Sequence, residues 1–233
     1  MSNISAISLQ NVDLSFRLRT LLSGVNYEFA PGSFHFVIGD NGVGKSSLLK
    51  LMNGLLQPES GRVSVFGSFL DEQNSDDMAD IRYDIGFVSQ DYSLVSHITI
   101  LDNIMLPLLA RDAVYDDALS YARAVLSWAG LGDCLIAYPS DLSHGQLQKA
   151  LIVRAIIADP KILIFDKPMS FMDSKSCNKF FRLFQEMNRR GATVIFATQD
   201  EEFANSQNYP VLCLLNGEVI TRSDYVKEDS DAA

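Results

Sequence analysis

The chain has 233 residues, 47% hydrophobic and 21% charged, which suits one large domain or two intimate subdomains around a sizeable core. Its formal net charge of −10 argues against an electrostatic grip on nucleic acid or anionic lipid, since both need clustered Lys and Arg. No window approaches the roughly 20 apolar residues of a bilayer span, and Met1–Gln10 has no signal-peptide pattern, so direct membrane insertion is not expected.

In chain order, Ile7, Leu9, Val12, Leu14 and Phe16, then Val25, Tyr27 and Phe29, predict strands before the Pro31-Gly32 turn. Phe34, Phe36, Val37 and Ile38 read as a short buried strand ending at Gly39. Lys45 to Leu55 has helical apolar spacing, and Gly61 to Phe66 reads as a strand. An acidic loop and short helix are expected over 70–84, then a strand from Ile85 to Ser89. From Asp91 to about Ala158 the pattern is helical, with loops at Leu131-Asp133 and Tyr138-Leu142. Strands at Lys161–Phe165 and Thr193–Thr198 flank a helix from Ser174 to Arg190, and Val211–Ile220 reads as a hairpin around Asn216-Gly217. Strands separated by helices predict an α/β fold with a mainly parallel sheet. The expected organisation is a single domain over 1–225, its core about 1–90 and 159–222, with a helical insert at about 91–158 and an acidic tail at 226–233. Cys134, Cys177 and Cys213 lack metal-ligand spacing and predict buried free thiols in a reducing cytosol.

The strongest chemical signal is Gly39-Asp40-Asn41-Gly42-Val43-Gly44-Lys45-Ser46-Ser47, between a strand and a helix, which fits G-x-x-x-x-G-K-[ST]. Glycines let backbone N–H groups turn onto phosphate oxygens, and the following helix offers its N-terminus to the same anion. Lys45 is expected at the β- and γ-phosphates and the Ser46 hydroxyl on Mg²⁺. Such a loop needs a carboxylate at a strand end to hold the metal, and Ile162-Leu163-Ile164-Phe165-Asp166 supplies it.

Between these lies Leu142-Ser143-His144-Gly145-Gln146 opening a helix, which resembles the Leu-Ser-Gly-Gly-Gln signature of the ABC ATPases, with His144 replacing the first glycine. The resemblance implies a P-loop NTPase (RecA-like) core with an N-terminal antiparallel β subdomain and an inserted α-helical subdomain. It also implies a homodimer or heterodimer sandwiching two Mg-ATP, in which Ser143, Gly145 and Gln146 serve the nucleotide held by the other subunit. Gln90 matches the family's metal-touching glutamine, Asp173 ends the D-loop stretch Met169-Ser170-Phe171-Met172-Asp173, and Phe16 stands where an aromatic ring stacks on adenine.

Within that family, Gly32-Ser33-Phe34-His35-Phe36 and the run Leu101 to Leu108 resemble the FtsE cell-division ATPases. This implies an FtsX-like integral membrane partner, docking on Tyr92 to Leu109, and a peripheral place on the inner face of the cell membrane. Relatives in lipoprotein release and macrolide export imply a transport subunit instead, and a non-catalytic ATP-binding scaffold is the third reading. Two positions depart from the family pattern. Lys167 follows Asp166 where the family has the glutamate that polarises water, and Gln199 stands in place of the γ-phosphate histidine. An ammonium cannot accept water's proton, so weak hydrolysis is expected.

Overall fold

A computed structural model describes residues 4–17, 19–71, 75–90 and 94–221. The acidic tail at 226–233 and Asp91, Tyr92 and Ser93 lie outside the described residues. The first sheet has four antiparallel strands in the order β2-β1-β4-β5: β1 Ile7–Phe16, β2 Arg19–Phe29, β4 Ser60–Val65 and β5 Ser68–Phe69. The second has six, ordered β10-β9-β3-β8-β7-β6: β3 Phe34–Ile38, β6 Ile85–Val88, β7 Ile162–Asp166, β8 Thr193–Ala197, β9 Val211–Leu215 and β10 Glu218–Thr221. In the second sheet β9, β3, β8, β7 and β6 run parallel, and β10 returns antiparallel at the edge. Together the sheets form the P-loop NTPase architecture, with an antiparallel layer contributed mainly by the N-terminal strands.

Every residue of β3, β7 and β8 is buried, which is why those segments read as unbroken apolar runs rather than alternating ones. Alternation instead sorts their side chains between two cores. Phe34, Phe36, Phe165 and Phe196 face the helices, whereas Val37, Ile162, Ile164 and Ile195 face α1 (Lys45–Met52) and the antiparallel sheet. On the helical side α6 (Ser174–Arg189) lays Phe180, Phe181, Phe184 and Met187 against the sheet, with the Phe165 and Phe184 rings 4.3 Å apart.

The region between β6 and β7 holds α3 (Ile100–Leu109), α4 (Tyr115–Ala129) and α5 (His144–Ile156). Buried Asn103 ties the entry to α3: its Oδ1 accepts from the Val95 amide at 2.7 Å, and its Nδ2 donates to the Val95 and Thr99 carbonyls. In α3, Ile100, Ile104 and Met105 are buried, while Leu106 and Leu109 remain exposed.

Several boundaries differ from expectation by one to three residues. The first helix stops at Met52, because the chain turns at Asn53 and reaches a left-handed Gly54 (φ 64°). The short helices α2 (Ser75–Tyr83) and α7 (Glu201–Ser206) and two 3-10 turns, Gly132–Cys134 and Pro139–Asp141, complete the described elements. Asp200 caps α7 by accepting from the Phe203 amide, a signal that six polar-rich residues make hard to read. Of the three free cysteines only Cys213 is fully buried; Cys134 and Cys177 are half-buried, a partial correction to the expected burial. Among the described residues no helix is long and apolar enough to cross a membrane.

Gly86 of β6 lies so close to α5 that a Cβ there would sit 2.3 Å from the Ala155 carbonyl oxygen. Gly132 would meet only ordinary contacts at 3.6 Å. Gly86→Ala should therefore cost about 1–3 kcal/mol in urea denaturation and Gly132→Ala within about 0.5 kcal/mol of zero. Equal effects would remove the close β6–α5 approach as a constraint.

His35 gives a pH signature. It is 6% exposed, packed edge-on against the Tyr27 and Phe29 rings, and burial pulls its imidazole down to about 4. The unfolded chain protonates this group first, so its contribution is complete above pH 6.5 and is lost as pH falls through about 4. The loss is about 3 kcal/mol at most, and His35→Phe should flatten the stability slope across that window. An unchanged slope would assign it to other groups.

Candidate functional site

The site is assembled at the C-terminal ends of the parallel strands, where the sheet register sets three chain positions in one row. Val37 pairs with Ala197, and Ala197 pairs with Asp166. The loop leaving β3 and the carboxylate ending β7 are thereby brought to the same edge.

The loop holds its shape through backbone conformations that side chains disfavour. Gly39 has φ 139° and a Cβ there would lie 2.6 Å from the Leu214 carbonyl; Gly44 has φ 118° and faces the Leu21 carbonyl at 3.1 Å. Lys45 begins α1 and folds back, its Nζ donating to the carbonyls of Gly39 and, at 2.8 Å, Asp40. Only 5% of Lys45 is exposed, and its ammonium is held below its ordinary pKa, first by burial and then by the Lys167 charge. Asp166, Asp40 and Glu201 pull in the opposite direction.

A pocket of about 130 Å³ is lined by Leu21, Gly42, Lys45, Ser46, Ser47 and Lys167, among others. Two ammonium groups, two hydroxyls and a helix N-terminus make it a site for a polyanion. Asn41 and Asp40 are exposed at its rim, and half-buried Val43 packs beneath the loop.

Asp166 is 2% exposed, and its Oδ1 accepts no hydrogen bond among the described residues. A buried carboxylate oxygen without a donor is costly, and the oxygen donor set of Asp166 with the Ser46 hydroxyl fits a hard divalent cation such as Mg²⁺. Gln90 follows the end of β6, the strand beside β7, and is exposed.

Lys167 has a left-handed backbone (φ 50°), fixed by its own N–H on the Ala197 carbonyl at 2.9 Å and by the Ser170 amide on its carbonyl at 3.2 Å. Its Nζ donates to Asn41 Oδ1 at 3.2 Å, and no ion pair joins it to Asp166 among the described residues. Gln199 is exposed beyond β8 and shares with Lys167 a larger pocket of about 460 Å³ that continues past Thr198 and Asp200.

Phe16 ends β1 with 65% of its surface exposed, so it is not a core residue, and the Arg17 guanidinium stands 5.5 Å from its ring centroid. The structure adds two residues that the motifs did not signal. Leu21 lines the pocket around Lys45, and an Arg19 Nη atom lies 3.9 Å from where Gly42 would carry a Cβ. Both belong to β2, whose approach to the loop depends on packing of one sheet on the other.

Ser143 caps α5: its Oγ accepts from the Gln146 amide at 3.3 Å, and Gln146 Oε1 accepts from the Ser143 amide at 2.9 Å. A Cβ on Gly145 would lie 2.7 Å from the Phe171 carbonyl, and the His144 ring packs 5.5 Å from the Phe171 ring. Asp173 caps α6 by accepting from Ser176 N and Oγ at 2.8 and 2.6 Å, bonds that draw its carboxyl down to about 2. The Lys149 ammonium stands 3.7 Å from it. Ser143, Gly145, Gln146 and Asp173 thus form one patch, and none of them lines the pocket around Lys45.

The sequence model of the ABC transporter family matches residues 22–170. The chain is 34% identical over 199 residues to the cell division ATP-binding protein FtsE of Escherichia coli K12, covering 85% of this chain and 90% of that one. It is 33% identical over 204 residues to the glutamate transport ATP-binding protein GluA of Corynebacterium efficiens, covering 87% and 84%. The ATP-binding cassette MJ0796, solved as a dimer bound to ADP and Pi after hydrolysis, superposes with a TM-score of 0.85 at 30% identity, covering 91% and 96%. With a phosphate loop, a strand-end carboxylate and a signature helix in family order, the chain belongs to the ATP-binding subunits of the ABC transporter family and is similar to FtsE within it.

Proposed function

We propose that the protein is an ATP-gated clamp on an FtsX-like membrane partner in cell division, closing as a dimer on Mg-ATP and hydrolysing it slowly. The observation that carries slow turnover is the Lys167 ammonium, bonded to Asn41 of the phosphate loop where the family keeps a carboxylate. A cation there favours the bound triphosphate but takes no proton from water, so it aids ground-state binding without aiding chemistry. Gln199 keeps a hydrogen-bond donor at the histidine position and does not restore a base.

Lys45 and the loop amides would hold the β- and γ-phosphates, Phe16 would stack on adenine, and Ser46, Gln90 and Asp166 would hold Mg²⁺. The metal supplies charge neutralisation when bound. Dimer closure is supported by the separation of the signature patch from the phosphate pocket of its own chain. Ser143, Gly145 and Asp173 would then meet nucleotide on a second ABC subunit, identical or different. Docking of the partner is supported by a cleft of about 430 Å³ lined by Tyr83, Phe87, Leu106, Pro107 and Ala110, beside the exposed face of α3. The identity with GluA favours a transport subunit as the second reading, and capture of the membrane partner separates the two.

Phosphate release with Mg-ATP tests the chemistry. Turnover should be low in the unmodified protein and rise by about 10²-fold or more in Lys167→Glu with Gln199→His, the usual worth of a general base. Ordinary release from the unmodified protein, or no gain in the double variant, would sink this account. Leu106→Glu should reduce co-purification with the membrane partner while leaving ATP affinity unchanged; equal capture would move the docking face elsewhere.

A further inference from the structure

The phosphate pocket holds a second fixed cation that the loop motif does not supply. We propose that Lys167 is itself a phosphate-binding group, so that this site retains a nucleoside triphosphate without a divalent metal. The inference rests on the reading of the pocket as an ATP site and adds metal independence to it.

The geometry supports this in three steps. First, the Lys167 side chain lines the same pocket as Lys45, Ser46 and Ser47 while staying partly exposed. Its backbone is bonded on both sides, to Ala197 and from Ser170, so the direction in which the side chain leaves is set by the fold. Secondly, an ammonium has three donors and no acceptor. One reaches Asn41 Oδ1 at 3.2 Å, and the remaining two have no hydrogen-bond partner among the described residues. Phosphate oxygens are acceptors of the right charge for them. Thirdly, no ion pair joins Lys167 to Asp166 among the described residues.

Charge balance then favours a triphosphate over an empty pocket. Lys45 and Lys167 line the same pocket and repel one another across it, with Asp166, Asp40 and Glu201 offsetting part of that repulsion. A polyanion between them turns that repulsion into two attractions. In a metal-dependent site of this type, a dication neutralises part of the phosphate charge. Here the Lys167 monocation would supply part of that neutralisation when no dication is bound.

Calorimetric titration of the full-length protein with ATP, in Mg²⁺ and in excess EDTA, tests the proposal. The unmodified protein should bind ATP in EDTA within about tenfold of its affinity in Mg²⁺. Lys167→Gln, which keeps length and polarity but removes the charge, should lose about tenfold to hundredfold in EDTA, the worth of a charge-assisted hydrogen bond. Lys167→Arg should retain binding, which guards against loss through misfolding. Tight binding in Mg²⁺ that vanishes in EDTA for the unmodified protein, or equal EDTA affinities for it and Lys167→Gln, would overturn the proposal and leave the ATP site standing. Absence of binding in both buffers would overturn the ATP site as well.

Discussion

The row formed by Val37, Ala197 and Asp166 is the constraint on which the site depends. Parallel pairing of β3 with β8 and of β8 with β7 fixes that row, and a shift of one residue in either pair would carry every side chain to the opposite core. The two cores resist such a shift. Phe36, Phe165 and Phe196 are matched to the helical layer, and Val37, Ile164 and Ile195 to the layer containing α1. The phosphate loop therefore meets the strand-end carboxylate because of hydrophobic sorting some distance from either. The chemistry is placed by the packing of apolar side chains along the strands that carry it.

The parts legible in the sequence are those where local chemistry and element type coincide. Gly39 to Ser47 announces itself because only a glycine-bearing turn between strand and helix gives a phosphate cradle, and the buried strands show as apolar runs. The Asn216-Gly217 hairpin is readable because both residues take positive φ, at 48° and 88°. Arg19 and Leu21 were not legible as site residues, since nothing in their own segment says that β2 will lean over the loop. The contact between Gly145 and the Phe171 carbonyl was likewise hidden, because it joins segments 26 residues apart in number through a turn with its own left-handed residue at Phe171 (φ 65°). Such features depend on how elements stack, which local pattern does not encode.

Lys167 shows how chemistry can change while the scaffold stays. Its structural work is carried by backbone groups: the N–H on Ala197 and the carbonyl receiving Ser170. Neither bond involves the side chain, so a glutamate or a lysine is accommodated by the same turn, apart from the strain of φ 50° that either shares. The side chain is then answerable only to its surroundings in the pocket. Those surroundings contain Asn41, an acceptor for an ammonium, and the buried Oδ1 of Asp166, which accepts no hydrogen bond among the described residues.

The signature patch carries a related lesson about preorganisation. Ser143 and Gln146 close a reciprocal cap on α5, and Asp173 caps α6, so three residues matched to the family's nucleotide contacts are already held by bonds within their own chain. Gly145 admits the Phe171 carbonyl and His144 lays its ring beside that of Phe171, which locks the two helix starts together. Replacing the family's first glycine with histidine therefore adds a ring contact to this junction without altering the cap. A surface fixed in this way needs little ordering when another subunit approaches, and less of the association free energy is lost to conformational entropy. A nucleotide held between such a patch and the pocket of a second subunit would meet the charges of Lys45 and Lys167 on the pocket side.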